Sequence, residues 1–388
     1  MRPEDFRVSE ESRLALADGG PFGVYLLAKT GWTTPEALDR AARDLGLPYG
    51  VFRYGGLKDR WAVTEQTVTV RTERDCSGEW NGFSLRALGR AADPMSPGAI
   101  VANRFRIVLR DLSACGAATA AAEAARLPGR GFANYFDDQR FGSMRDGQLF
   151  AGDLIVRRDW AGALRALLAM SGPDDPSAIR HHRRELARRW GDWPACLEAA
   201  DGPAESQVFR MLAHEPRAVR AAVNLLPRET LAFHLAAWQS HLWNEVLRQA
   251  VRRAGEDGEG GVGLRTHPGT AGPYLSPARP DAAERLLRLV LPTLGRGIAW
   301  PDAPIEELYR GLLAPLGLRP ENFVLRGLPK VQLRSSLRPA AVTPRELEVS
   351  GPAADAFHPG RCSLELGFSL PPGSYGTMLV KALSSTGP

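Results

Sequence analysis

Residues 362–370, Cys362-Ser363-Leu364-Glu365-Leu366-Gly367-Phe368-Ser369-Leu370, carry an apolar side chain at every second position from Leu364 onward. A period of two lines one face of a pleated strand, the pattern of a strand buried on one side. Such a strand needs partners for its N–H and C=O groups. Candidates stand near the other end of the chain. Gln66-Thr67-Val68-Thr69-Val70-Arg71 alternates throughout, and Arg104-Phe105-Arg106-Ile107-Val108-Leu109-Arg110 alternates in its first half. From about Asp159 to Pro301 the texture is helical instead. The simplest arrangement is one strand-rich domain interrupted by a helical insertion, with the C-terminal strand returning to the first sheet.

Two helices are expected among the early strands. Thr34-Pro35-Glu36 opens one with an N-cap and a proline at N1, and Leu38, Ala41, Ala42 and Leu45 follow at helical spacing. The alanine-rich run Ser113–Leu127 is the other. Within the insertion the spacing predicts helices over Trp160–Met170, Ser206–Leu225, Leu231–Ala254 and Asp281–Leu291, with an irregular Gly/Pro-rich segment Gly255–Pro280. After the last strand, the turn Pro371-Pro372-Gly373 leads into a helix-like Ser374–Leu383. Segregated strands and helices make the expected class α+β. No tandem repeat is present.

Composition sets outer limits. At roughly 100–200 residues per domain, 388 residues suit two to three domains. With 44% hydrophobic and 24% charged residues, neither wholesale disorder nor a collagen-like chain is possible. No run of about 18 apolar residues marks a spanning helix, and the charged start Met1–Glu11 has no secretory core, so the expected location is the cytoplasm. Four cysteines lie far apart without a C-x-x-C pair, which argues for reduced thiols rather than zinc or redox chemistry. The net charge is only +5, but of 49 basic residues just Lys29, Lys58, Lys330 and Lys381 are lysines. Arginine's planar fork suits phosphate and stacked bases. A coding bias toward Arg, Ala and Gly explains the same count, so charge does not decide function.

Three segments crowd polar residues among glycines and aromatics where neither period explains them. In Tyr54-Gly55-Gly56-Leu57-Lys58-Asp59-Arg60-Trp61-Ala62-Val63-Thr64-Glu65-Gln66, two glycines permit a tight turn and Asp59 stands between two cations. Such flanking favours an ionised carboxylate, as a carboxylate nucleophile requires; a surface turn with a local ion pair fits equally. No Lys-Ser/Thr follows a second glycine, so this is not a P-loop. Gly131-Phe132-Ala133-Asn134-Tyr135-Phe136-Asp137-Asp138-Gln139-Arg140-Phe141-Gly142 combines an amide, aromatics and an arginine, a set that suits an extruded nucleotide or a satisfied core. In Leu366–Thr377 a strand runs into a proline turn, with Phe368 on the apolar face. Other features are weaker. Arg180–Arg189 is a basic cluster that reads as a solvated helix face before an RNA contact. His234 and His241 share a helical face, yet nothing completes a metal-ligand set. Asp137 and Asp138 are too close in sequence to act as an acid/base pair.

Jointly, these segments resemble the TruD family of tRNA pseudouridine synthases. The resemblance rests on Glu4-Asp5-Phe6-Arg7-Val8-Ser9-Glu10, on Gly55–Gln66, on Asn134-Tyr135-Phe136 with Gln139-Arg140-Phe141-Gly142, on Gln239-Ser240-His241-Leu242-Trp243-Asn244, and on Leu370–Thr377, five motifs in the family's order. It implies a pseudouridine-synthase catalytic domain with a mixed, mainly antiparallel sheet, formed by 1–159 and 343–388. A mainly helical α+β domain would be inserted at 160–342. The implied reaction isomerises a uridine in the D-arm region of tRNA, uridine-13 in bacterial members, without metal or organic cofactor. Asp59 would be the catalytic nucleophile, and Phe6, Asn134 and Phe368 would contact the target nucleotide. Lys58, Arg60 and Arg140 would hold Asp59 charged or grip phosphate. The expected partner is tRNA, with no metal and no membrane, and the expected state is a monomer.

The chemistry is coherent with one carboxylate. Forming pseudouridine breaks the C1′–N1 bond, turns the uracil and rejoins it through C5, so both fragments must be held while water is excluded. The carboxylate can attack the sugar or take a proton from it. Aspartate is ordinarily ionised at neutral pH, so no further base is needed. Three departures from the family pattern stand out. Only Arg2 can replace the basic residue that precedes the first motif in relatives, Asp137 replaces a glycine, and Tyr54 replaces a small residue. The first two motivate a second reading, an RNA-binding or RNA-folding protein of the same fold with little catalysis.

Overall fold

Phe368 pairs with Phe105, and Leu366 with Ile107, in neighbouring antiparallel strands, which joins the two ends of the chain in one sheet. The structure is a computed structural model that describes residues 2–145, 149–172, 175–254, 261–263, 275–277 and 280–383. Nine strands form the sheet: β1 (Phe6–Ser12), β2 (Phe22–Lys29), β3 (Phe52–Tyr54), β4 (Val63–Arg71), β5 (Gly78–Trp80), β6 (Phe83–Ala91), β7 (Ile100–Leu112), β8 (Arg345–Ala354) and β9 (Cys362–Leu370). Their order is β8-β9-β7-β1-β4-β2-β6-β5, with β3 paired to β4. Only β1 and β4 run parallel, in the register Arg7↔Val63 to Ser9↔Glu65. The class is α+β with a mixed, mainly antiparallel sheet, as expected.

Alternation in β9 is realised as burial, with Leu364, Leu366, Phe368 and Leu370 at most 1% exposed. The helix α1 (Thr34–Leu45) packs Ala37, Leu38, Ala41 and Ala42 into a cluster with Leu27, Phe52, Val68 and Val70. Its cap is Thr33 rather than Thr34. Glu36 N donates to the Thr33 hydroxyl at 3.3 Å and the Glu36 carboxylate accepts from Thr33 N at 2.9 Å, a reciprocal capping box. The helix α2 (Ala114–Arg130) is capped by Ser113 and lies along β7, β8 and β9. The last helix is Gly376–Leu383. A Cβ on Gly376 would sit 2.8 Å from Phe105 Cδ1, so only glycine lets this helix start so close to the sheet.

Two compact units divide the chain, one running to Gly131 and resuming over Val342–Leu383, the other Phe132–Ala341. Residues 132–159, read from sequence with the chain's two ends, group with the second unit. That unit is mainly helical. The helix Arg228–Ala254 buries Leu235, Trp238, Leu242, Trp243 and Val246 at helical spacing. The helix expected over Ser206–Leu225 is two, Pro203–His214 and Val219–Leu225, because Pro216 in the break cannot continue one. The helix expected to reach Leu291 ends at Arg288, and Val290–Pro292 pairs as a strand with Leu337–Pro339. Most of the expected irregular segment Gly255–Pro280 lies outside the described residues, as do 384–388.

Candidate active site

The loop 55–62 connects β3 to β4 and is held from several sides. A Cβ on Gly55 would lie 2.7 Å from Ile100 Cδ1 and 3.0 Å from Met95 Cε, which is why the turn begins with glycine. Gln66, fully buried, donates from Nε2 to Gly56 O at 3.0 Å and accepts at Oε1 from the Thr34 hydroxyl at 2.7 Å. That hydroxyl in turn accepts from Lys58 N at 3.2 Å. The Lys58 ammonium points down to Glu10 Oε2 at 2.7 Å and Asn103 Oδ1 at 2.6 Å. Arg60 pairs with Glu36, and its carbonyl accepts from Gly31 N at 2.9 Å. Beneath the loop, Lys29 at the end of β2 is 2% exposed and donates from Nζ to Asp59 O at 2.8 Å and Lys58 O at 3.3 Å. Burial pushes its ammonium down to about 8, against the opposing pull of the Asp59 charge.

With its main chain fixed in this way, the loop presents Asp59 outward. Its Oδ1 accepts from Trp61 N at 3.0 Å, an Asx-type bond two residues on. The side chain is exposed, and so are its neighbours Leu57 and Trp61, at 69% and 70%. The two cations expected to hold Asp59 from either side in sequence are therefore engaged elsewhere. Lys58 serves Glu10 and Arg60 serves Glu36, while Lys29 lies below.

Phe6 and Phe368 are brought together through Phe105. Phe6 meets Phe105 edge-on with centroids 6.1 Å apart, and Phe105 stacks on Phe368 at 5.2 Å. Phe368 is 1% exposed, whereas Phe6 is partly open. It lines a largely apolar cavity of about 610 Å³ together with Arg2, Ile107, Leu109, Arg110 and Phe357. The Arg2 guanidinium lies 4.3 Å above the Phe357 ring. Arg110 grips Asp5 through two bonds of 2.9 and 2.6 Å, and this pairing holds the Asp5 carboxyl below its usual range.

Asn134 and Arg140 belong to the second unit. Asn134, 2% exposed, donates from Nδ2 to Pro339 O at 3.1 Å and accepts at Oδ1 from Arg338 at 2.9 Å. Arg338 also lies 4.2 Å over the Phe136 ring. Asn244 clasps the same segment, accepting from Phe136 N at 2.9 Å and donating to Phe136 O at 2.8 Å. Arg140 donates to the Ser240 hydroxyl at 3.3 Å. Asp137 is buried. The Gln-Ser-His-Leu-Trp-Asn motif thus anchors the Asn-Tyr-Phe motif. Gln239 and Trp243 also donate to main-chain oxygens, at Leu294 (2.6 Å) and Leu291 (3.2 Å).

The features set aside in sequence have structural partners. His241 packs against both Trp238 and Phe150, which also touch each other, and His234 lies 3.0 Å from Arg145 Nη2. In the helix Ser177–Arg189, Arg183 bonds Asp175 and Arg189 bonds Glu185. Among the described residues, no three His, Cys, Asp or Glu side chains gather as metal ligands do, and no helix is long and apolar enough to cross a membrane.

Comparison with known proteins decides the family. The family model described as tRNA pseudouridine synthase D (TruD) matches residues 1–383. The chain belongs to the TruD family. It is 29% identical over 390 residues to the tRNA pseudouridine synthase D of Geobacter sulfurreducens, covering 98% of this chain and 91% of that one. The tRNA pseudouridine synthase D of Leptospira interrogans is 26% identical, with coverage of 98% and 94%. The crystal structure of a TruD protein from Methanosarcina mazei superposes with a TM-score of 0.69 at 22% identity, over 99% of this chain and 92% of that one. The chain is thus a TruD-family pseudouridine synthase in its general class. Lys29, Glu10, Asn103 and Asn244 extend the residues expected from sequence. Glu10 and Asn244 lie inside motifs already singled out, whereas Lys29 and Asn103 lie outside all of them.

Proposed function

We propose that this TruD-family chain converts a uridine in the D-arm region of tRNA, uridine-13, to pseudouridine, with Asp59 as the nucleophile. One observation carries the reading. Asp59 stands exposed on a fixed loop, while Glu10 and Glu36, the other carboxylates bonded to that loop, are engaged by Lys58 and Arg60. In the reaction the Asp59 carboxylate bonds to C1′ as the C1′–N1 bond breaks with its electrons going to the uracil, the ring turns, C5 bonds to C1′ as the bond to Asp59 breaks and returns its electrons to the carboxylate, and C5 loses a proton while N1 gains one. Nothing is lost or gained, so the protein's task is to hold both fragments and exclude water. Phe6, Asn134 and Phe368 would contact the target nucleotide, with Lys58 and Arg140 as further contacts. Unstacking a base costs a few kcal/mol, and stacking on an aromatic returns about 1–3 kcal/mol per base.

The same reading assigns 1–159 with 343–388 to catalysis and 160–342 to an inserted domain, in a monomer that acts in the cytoplasm without metal or organic cofactor. The test is pseudouridine mapping of total RNA incubated with and without the purified protein. A new signal at uridine-13 of tRNA is expected. Salt-dependent tRNA binding without any new pseudouridine would overturn the reading and leave a binding protein of the same fold.

A further inference from the structure

We propose that Lys29 is a positioning residue for the reaction: it fixes the main chain of Lys58 and Asp59 from below and supplies the positive charge that balances the Asp59 carboxylate when bound RNA covers it. The proposal rests on the assignment of Asp59 as the reacting group.

The charge pattern around the loop singles out Lys29. Three cations and three carboxylates meet there, with Lys58, Arg60 and Asp59 on the loop, Glu36 on α1, Glu10 on β1 and Lys29 on β2. Lys58 pairs with Glu10 at 2.7 Å, and Arg60 pairs with Glu36. Lys29 and Asp59 remain. The direct contacts of Lys29 are the carbonyl oxygens of Asp59 at 2.8 Å and Lys58 at 3.3 Å. Among the charges acting on it, Asp59 is the strongest, ahead of Lys58, Glu36 and Arg60.

Burying an ammonium is costly unless it is well partnered, and Lys29 is 2% exposed. Two main-chain oxygens, of residues 58 and 59, supply its direct contacts, and the Asp59 charge acts on it from beyond ion-pair distance. Burial pushes the group down to about 8, so it is still largely protonated at neutral pH. When RNA displaces water from Asp59, the carboxylate loses its solvation, and a fixed cation beneath is what keeps it ionised and in place.

Only four lysines exist in the chain, so lysine labelled with ¹³C at Cε gives four NMR signals that can be followed with pH. One signal is expected to titrate near 8 and to vanish in Lys29→Met. In Asp59→Asn its midpoint is expected to fall by roughly 0.5–1 unit, as a lost neighbouring charge requires. An unmoved midpoint overturns the charge pairing. In turnover assays Lys29→Met is expected to lower kcat about 100-fold, the scale of a displaced reacting group, with KM for tRNA within about threefold. Wild-type kcat should decline as pH rises through 8. Thr34→Val, which loosens the loop through an uncharged bond, should keep that decline at the same pH. Lys29→Arg, whose guanidinium does not titrate there, should lose it. The same alkaline decline in Lys29→Arg overturns the proposal even if Lys29→Met does not fold. If the wild type forms no pseudouridine while the lysine midpoint still moves in Asp59→Asn, the functional reading fails and the charge pairing stands.

Discussion

Trp61 is 70% exposed two residues beyond Asp59, and Leu57, 69% exposed, stands two residues before it. Large apolar side chains seldom face water in such numbers on one short loop without a partner to cover them. A single exposed side chain contributes little to folding, so Trp61→Ala should change stability by less than about 0.5 kcal/mol in denaturant unfolding. The same change should weaken tRNA binding about 5- to 150-fold in a filter-binding titration, the equivalent of one lost stacking contact of about 1–3 kcal/mol. Trp61→Phe should recover most of the loss. At this scale the sequence was legible where chemistry is local. Glycines and charges within a dozen residues marked the loop that carries Asp59. Lys29 could not be read because its partners are about thirty positions away and reach it only through strand pairing. Thr33 and Thr34 are adjacent and both can cap a helix; only the fold reveals that Thr34 turns inward to Gln66.

Among elements, the helix Arg228–Ala254 does more than fill a core. Its Asn244 replaces a strand partner for Phe136, satisfying both main-chain groups of that residue. Asn244→Ala leaves both without this partner and should cost about 2–4 kcal/mol in denaturant unfolding. Two histidines on the same helix make the second unit sensitive to acid. Burial, aided by Arg145 and Arg183, pushes His234 down to about 3, and burial with Arg248 pushes His241 down to about 4. Each stays neutral in the folded state while the unfolded chain takes up a proton below about 6.5, so stability falls as pH drops from there toward 4. The slope should approach about 1.4 kcal/mol per pH unit for each histidine. Denaturant midpoints measured between pH 7 and 4.5 check this, and His241→Phe should flatten the slope. Helix periods in this region were legible, and their ends were less so. Pro216 breaks a run whose apolar spacing continues on both sides, and Val290–Pro292 becomes a strand only because Leu337–Pro339 lies beside it.

For the whole molecule, the strand at 362–370 is the most informative stretch, because its alternation marks a half-buried strand whose main-chain groups require partner strands elsewhere in the chain. The sheet it joins is built from both ends, with β9 against β7 and β7 against β1. The order of the strands was not legible, since registers between segments hundreds of residues apart leave no local mark. The lopsided basic composition acquires a sharper meaning. A bias toward arginine leaves four lysines, and two of them meet at the loop that carries Asp59, Lys29 from beneath it and Lys58 on it with its ammonium turned to Glu10. Each stands there as a compact point charge with rotatable donors. The central claim is that one carboxylate on this loop performs the isomerisation. It is tested most directly by comparing wild type and Asp59→Asn for pseudouridine formed in tRNA under single-turnover conditions. The account predicts conversion by the wild type and none by the variant, with tRNA affinity and thermal unfolding nearly unchanged; conversion by Asp59→Asn at the wild-type rate would contradict it.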